Sequence, residues 1–332
     1  MATIGTRNPT ITDVTKRLDP DGRIDQIVEL LKEREEILDD MTSVEGNLPT
    51  GHRITVRTGL PEPVERMLNQ GYDADKSRTA QITEAITQFA LRWAVDVDVA
   101  KLNGNSREFM MSEFEGILQG FNHKISETLF YGNNNTKPES IVGFSPRYSD
   151  LDAENAEMII DAGGTGSDDN TSVWLVTWGP QTAFTVFPKG STAGFREEEL
   201  ADDYEEDRDG KKFLAHRRDY KWDIGLVLKD WRAVSRIANI NESNLSTDPQ
   251  SDADDNLINQ MIRASERIDD LNAGRPAFYV SRKIREWLRL QALHHKNARI
   301  GIEQVAGRKV VTFDEIPVRR VDSLLHTEDR VT

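Results

Sequence analysis

The chain has 332 residues, 57 acidic against 42 basic side chains, a formal net charge of −15 and no cysteine. The acidic balance repels nucleic-acid phosphates and argues against a sequence-independent DNA binder, while the missing thiols exclude disulfides, zinc–thiolate and iron–sulfur centres and cysteine nucleophiles. At roughly 150 residues per domain the length suggests about two structural units, and no uninterrupted apolar run reaches the roughly 18 residues of a helical membrane span.

The opening run Met1 to Asp21 has no basic-then-apolar leader, so the protein is expected to be soluble and to stay in the cell that makes it. Its Thr-rich first 18 residues suit an extended arm. Asp19-Pro20 reads as an N-cap and first turn of a helix with an apolar face of Ile24, Ile27, Val28, Leu31, Leu38 and Met41, a face that needs a partner surface. From Gly46 to about Trp93, glycines and prolines punctuate two β-type runs, His52 to Thr58 and Thr79 to Phe89. A hairpin with so little apolar area is marginal alone and is expected to lie on something else. Asn105 to Tyr131 predicts the longest helix, roughly 40 Å at 1.5 Å per residue, with Phe109, Phe114, Ile117, Leu118, Phe121, Ile125 and Leu129 as its stripe and Gly132 with Asn133 as its stop.

Beyond Pro146 the chain turns strand-rich. Ser172 to Trp178 and Thr182 to Phe187 are apolar runs separated by Gly179-Pro180. Glu197 to Asp209 holds nine carboxylates in thirteen residues and reads as a solvated loop. Tyr220, Trp222, Ile224, Leu226 and Leu228 alternate with polar residues, predicting one long half-buried strand running on toward Ile240. Ser246 to Asp255 is a polar linker, and Leu257 to Leu271 is an amphipathic helix stopped by Gly274 and Pro276. Ala277 to Val280 is a buried strand, Ser281 caps a helix through Gln291, and Val310 to Val321 closes the chain as strands. Without an internal repeat, this order predicts an α+β class.

The search for chemistry finds no site. Ala162 to Ser167 is glycine-rich, but Asp168 and Asp169 follow where a phosphate loop needs Lys and a helix N-terminus. Glu205, Asp207, Asp209 and Gly210 resemble the start of a calcium loop, yet His216 stands where the bidentate Glu belongs. The histidines, His52, His123, His216, His294, His295 and His326, lack helical metal-pair spacing. Ser191 has Lys189 where a nucleophile elbow needs Gly. Trp174, Trp178, Trp222 and Trp231 lack the basic interleaving of a base-stacking surface and read as core or subunit interface. No catalytic, cofactor-binding or metal residue is therefore expected.

Three blocks carry a resemblance: Leu129 to Asn133 with Gly143 to Tyr148; Asp161 to Ser167 through Trp174 to Pro180 and Phe187 to Gly190; and Tyr220 to Leu226 with Asp230 to Arg232 and Arg236 to Ile240. The sequence resembles the major capsid proteins of short-tailed (podovirus-type) double-stranded DNA bacteriophages, which use the Hong Kong 97-type capsid fold. The resemblance implies an N-terminal arm at 1–45, an extended β-hairpin loop at 46–93, and a peripheral domain from 94–140 and 206–244 with 306–332 added. The peripheral domain would hold a spine helix at 105–131 and long strands, and 141–205 with 245–305 would form an axial domain.

It further implies a head protein that self-assembles as pentamers and hexamers into an icosahedral virion shell around packaged DNA, with no sequence-specific DNA contact and no membrane. Implied partners are the chain itself, a scaffolding protein, a portal protein at one vertex and a cement or decoration protein, with assembly in the bacterial host cytoplasm. The loop has no Lys from Leu48 to Asp75, so isopeptide cross-links are not expected. Two other classes stay open at this point: a tail-tube or adaptor subunit, and an acidic nucleotide- or metal-dependent enzyme using Gly163 to Asp169.

Overall fold

The computed structural model describes residues 35–69, 71–101, 106–164, 169–206, 210–245, 257–293, 300–305 and 308–332. The predicted arm, most of the first helix, the Ser246 to Asp255 linker, His294 and His295 lie outside them.

In chain order the first elements are a single turn α1 (Ile37–Asp40) and the strands β1 (Ser43–Glu45), β2 (Gly51–Gly59), β3 (Arg78–Ala85) and β4 (Thr87–Asp96). The turn α2 (Val97–Ala100), the long helix α3 (Ser106–Tyr131) and the turn α4 (Phe144–Arg147) follow. Next come β5 (Ile159–Asp161), β6 (Asn170–Trp178), β7 (Ala183–Phe187), β8 (Phe195–Glu206), β9 (Lys212–Leu228) and β10 (Val234–Asn241). The chain finishes with α5 (Leu257–Arg267), β11 (Arg275–Val280), α6 (Arg282–Leu293), β12 (Ile300–Val305), β13 (Arg308–Phe313) and β14 (Ile316–Arg320). A twelve-stranded mixed sheet runs β12-β13-β14-β11-β6-β7-β9-β4, with β10 and β5 beside β6, β8 beside β9 and β1 beside β7, and β2-β3 forms a separate ribbon.

All nine residues of β6 are buried because both faces of the sheet are covered there, which is why its sequence reads as a nearly continuous apolar run instead of an alternation. Trp174, Val176 and Trp178 point into a core shared with Phe121, Ile125 and Leu129 of α3 and with Tyr220, Ile224 and Leu226 of β9. Val173 and Leu175 point the other way, into a second core with Leu257, Ile258 and Met261 of α5 and Ile284, Trp287 and Leu288 of α6. Ser281 caps α6 as expected, its Oγ accepting from the Ile284 N–H at 3.4 Å.

Three local expectations need correction. The acidic run 197–206 lies in strand β8, paired antiparallel with β9 with one register shift between Leu200 and Asp203. Pattern reading missed it because its carboxylates are matched from the opposite strand. Arg218 meets Glu197 at 2.5 Å, Arg217 meets Asp203 at 3.0 Å, Lys221 meets Glu198 at 3.1 Å and His216 meets Asp202 at 2.6 Å. The long strand toward Ile240 is two strands, because the Asp230 carboxylate accepts from the Arg232 N–H and folds Trp231–Ala233 into a 3-10 turn that sends β10 to β6 instead of continuing β9. The run Thr79 to Phe89 also divides at Ile86, where β3 stays with the ribbon and β4 crosses to β9.

Candidate assembly surfaces

The ribbon is anchored at its base and open at its tip. Gly51 lies so close to β3 that a Cβ would sit 2.5 Å from the Glu84 carbonyl oxygen, so a side chain there would push the strands apart. Glu84 in turn takes a two-pronged bond from Arg147 at 2.7 and 2.8 Å, tying the ribbon to the turn behind α3. Ile54 packs with Phe184, Val186 and Val227 as a small third core, and the Asn47 side chain both donates to and accepts from the Arg53 backbone at 2.7 Å.

Beyond this base, packing stops. In the connecting loop Leu60, Val64, Met67, Leu68 and Tyr72 are 74%, 62%, 75%, 92% and 69% exposed. The loop holds its shape through Asp75, which accepts from the Glu62 and Lys76 N–H groups and whose carboxyl pKa is held below the ordinary value by those two bonds. So many large apolar side chains on one projection cost solvation unless another surface covers them.

The second surface is the long three-stranded face of β8, β9 and β4. One side packs on α3 through Phe195, Tyr220 and Trp222, with Phe195 and Tyr220 stacked at 5.6 Å. The other side is a lattice of opposite charges in which Arg92 forks onto Asp219 at 2.7 and 2.9 Å, and Asp223 is shared by Arg196 and Gln88. This compensation explains how a chain of −15 net charge tolerates so acidic a strand.

The third is the root of the arm. Glu35 pairs in a bridge with Val321, Ile37 is fully buried, and β1 extends the sheet beside β7. A hydrogen-bond relay reaches the core from here: Trp178 Nε1 donates to the Tyr279 hydroxyl at 2.7 Å, and that hydroxyl donates to Asp40 at 3.2 Å. Burial, then Asp40, pushes the Tyr279 phenol well above its ordinary range.

The C-terminal tail is fastened equally firmly. Glu328, buried, accepts from Arg236 at 2.8 Å, Ser172 at 2.5 Å and Tyr131 at 2.5 Å, while Arg236 also donates to the Tyr148 carbonyl at 2.7 Å and lies 4.9 Å over the Trp174 ring. Asn239, in a left-handed conformation (φ 58°) at an irregularity of β10, brackets the Val331 backbone with two bonds of 2.9 Å.

None of the chemical motifs converges. Gly163 is left-handed (φ 78°) and Gly164 abuts Asn239, with its N–H bonded to the Asn239 carbonyl, so the described part of the glycine-rich loop is packed against β10. Asp169 is turned onto Ser243, away from any phosphate geometry. Among the described residues His52, His123, His216 and His326 stand apart, and no group of three or more metal-ligating side chains forms. A recess of about 540 Å³ beside the tail is lined by Arg236 and Glu328, whose charges already satisfy one another. Trp174 and Trp178 are buried as expected, whereas Trp222 and Trp231 are half-buried at the edge of the first core.

The family described as Major capsid protein GP7 matches residues 19–332. A chain in the near-atomic structure of bacteriophage epsilon15 is 34% identical over 100% of both chains, with a TM-score of 0.81. The bacteriophage JBD30 capsid shares the fold at 9% identity, covering 90% of this chain and 95% of that one with a TM-score of 0.52. No curated protein sequence matches. The architecture is thus the α+β Hong Kong 97-type capsid fold, and the exposed loop, charged sheet and arm root are parts of a structural subunit and not of an enzyme. Matched along nearly its whole length, the chain belongs to the major capsid protein GP7 family and builds the icosahedral shell of a bacteriophage virion.

Proposed function

We propose that the subunit closes its shell, as pentamers and hexamers around packaged double-stranded DNA, by non-covalent contacts in which the apolar loop tip is laid on a neighbouring copy. The observation that carries this reading is the exposed set Leu60, Val64, Met67, Leu68 and Tyr72 on a ribbon whose base is firmly tied. Covering such side chains contributes about 25 cal/mol per Å² of apolar area, enough for a few residues per subunit to hold a symmetric lattice. Membership of the cores supports a peripheral region of α3, β4, β8 and β9. It supports an axial region of α5, α6 and the strands β5, β6, β10, β11, β13 and β14 around them. This drawing moves β8 out of the axial stretch 141–205, and β10 with the strands of 306–332 into it. Residues 1–45 act as the arm and 46–93 as the extended loop with its attachment.

The net charge of −15 disfavours tight binding of the enclosed genome by the chain as a whole. The partners proposed are a scaffolding protein during assembly in the host cytoplasm, a portal protein at one vertex and a cement protein over subunit junctions. Among the described residues no group of three or more metal-ligating side chains forms, in keeping with a subunit proposed to have no catalytic, cofactor or metal site. Electron microscopy of the full chain coexpressed with its scaffold tests the reading. Intact protein is expected as closed shells and a variant lacking 61–73 as free capsomers or monomers; normal shells from that variant refute the role of the loop. A ladder of covalent multimers on a denaturing gel refutes non-covalent closure.

A further inference from the structure

Among the described residues, the root of the arm carries one more carboxylate than the arginines around it can neutralise. Glu36, Glu35 and Asp40 from the arm and Asp322 from the tail face Arg285 of α6 and Arg319 and Arg320 at the end of β14. Each arginine is taken by a different acid: Arg285 meets Glu36 at 3.3 Å, Arg319 meets Asp40 at 2.9 Å, and Arg320 forks onto Asp322 with two bonds of 2.6 Å. Glu36 also accepts from the Arg320 N–H at 2.6 Å. Asp39 is exposed to water, and Tyr279 of β11 donates to Asp40.

Glu35 is the acid left over. Its side chain is 2% exposed, it accepts from Ser323 Oγ at 3.0 Å, and His123 Nδ1 of α3 stands 3.5 Å away. Arg320 lies near enough to act on Glu35 through space, but its guanidinium is committed to Asp322. The His123 ring is 43% exposed, so water reaches the pair from one side and supplies a route for a proton.

We propose that this root is a proton-operated clasp: with a proton on the Glu35 carboxyl the root stays seated between α3 and the C-terminal tail, and when that proton leaves, the buried carboxylate is unbalanced and the root lifts. Burial raises the Glu35 pKa from 4.5 to about 7, with Ser323, Ser126 and His123 opposing the rise. An acid whose pKa is raised in the seated state favours that state fully below 4.5 and loses the advantage as pH rises through about 7. The clasp is therefore tight in acid and loose in mild alkali. The switch resides in a single chain, in the described segment 35–45, and is measurable on it.

The test is amide hydrogen exchange on the full-length protein, following peptides over 35–45 against a β6 peptide as internal reference, corrected for the intrinsic pH dependence of exchange. Protection of 35–45 is expected to fall about tenfold from about pH 6 to about pH 8.5, and Glu35→Gln to remove that dependence. Ser323→Ala deletes a bond that favours the ionised acid and is expected to move the loss to higher pH; a move to lower pH overturns the proposal. Protection that is flat with pH in the unmodified protein, or a pH dependence unchanged in Glu35→Gln, overturns the proposal. Should Glu35→Gln fail to fold, the direction of the Ser323→Ala shift decides alone, an unmoved midpoint counting against it.

Discussion

Replacing Glu328 by Gln removes one charge from the most deeply buried ion pair described. Arg236 and Glu328 have side chains 2% and 3% exposed, 2.8 Å apart, and the carboxylate is further held by Ser172 and Tyr131. The neutral amide leaves the Arg236 guanidinium charged in a site where its remaining partners, Trp174, the Tyr148 carbonyl and Ser172 Oγ, carry no negative charge. Removing one partner of a buried pair costs about 3–5 kcal/mol, because the surviving charge stays desolvated. Replacing both, as Arg236→Met with Glu328→Leu, removes that orphaned charge and is expected to cost less than either single change. Urea unfolding of the full chain, analysed as a double-mutant cycle, measures the coupling. Single losses that simply add, or a Glu328→Gln loss below about 1 kcal/mol, refute the view that this pair is desolvated and mutually dependent.

Arg147→Ala unties the ribbon from the body; losing the two-pronged bond to Glu84 is expected to cost about 1.5–3 kcal/mol and to raise amide exchange in β2 and β3 before the rest of the sheet. Gly164→Ala places a methyl group 2.3 Å from the Asn239 carbonyl oxygen, and a fall in thermal stability corresponding to about 1–3 kcal/mol is expected in calorimetry. The β8 carboxylates that pair with Arg218 are open to water, so Arg218→Ala is expected to lose about 1 kcal/mol, and the loss is expected to shrink as salt is raised. A salt-independent loss from Arg218→Ala refutes the electrostatic account of why β8 is a strand.

The long helix, the buried strands β6 and β11 and the cap at Ser281 were legible because each depends on residues close together in the chain: a three- and four-residue apolar spacing, a continuous apolar run, a hydroxyl before a helix. The acidic strand was not, since Glu197 to Glu206 read as a solvated loop until Arg217, Arg218 and Lys221 were brought opposite it. The break at Trp231 was equally hidden, because Tyr220 to Ile240 alternates in the same way on both sides of a turn that Asp230 alone sets. The assembly surfaces were legible in outline only. Leu60 to Tyr72 announced itself as glycine- and proline-rich, but its exposure follows from what Arg147, Glu84 and Ile54 hold in place and what they leave outside.

Composition and pattern alone determined that this is an acidic, cysteine-free α+β chain with extensions that need neighbours, and the similarity of its blocks determined the capsid family, because such properties are written locally. Tertiary structure alone decided which charges meet. Whether Glu35, Glu36, Asp40, Asp322 and Glu328 are solvated acids or buried ones depends on elements nearly 300 positions apart arriving at the same place, and Coulomb energy is set by that distance and by the water excluded from it.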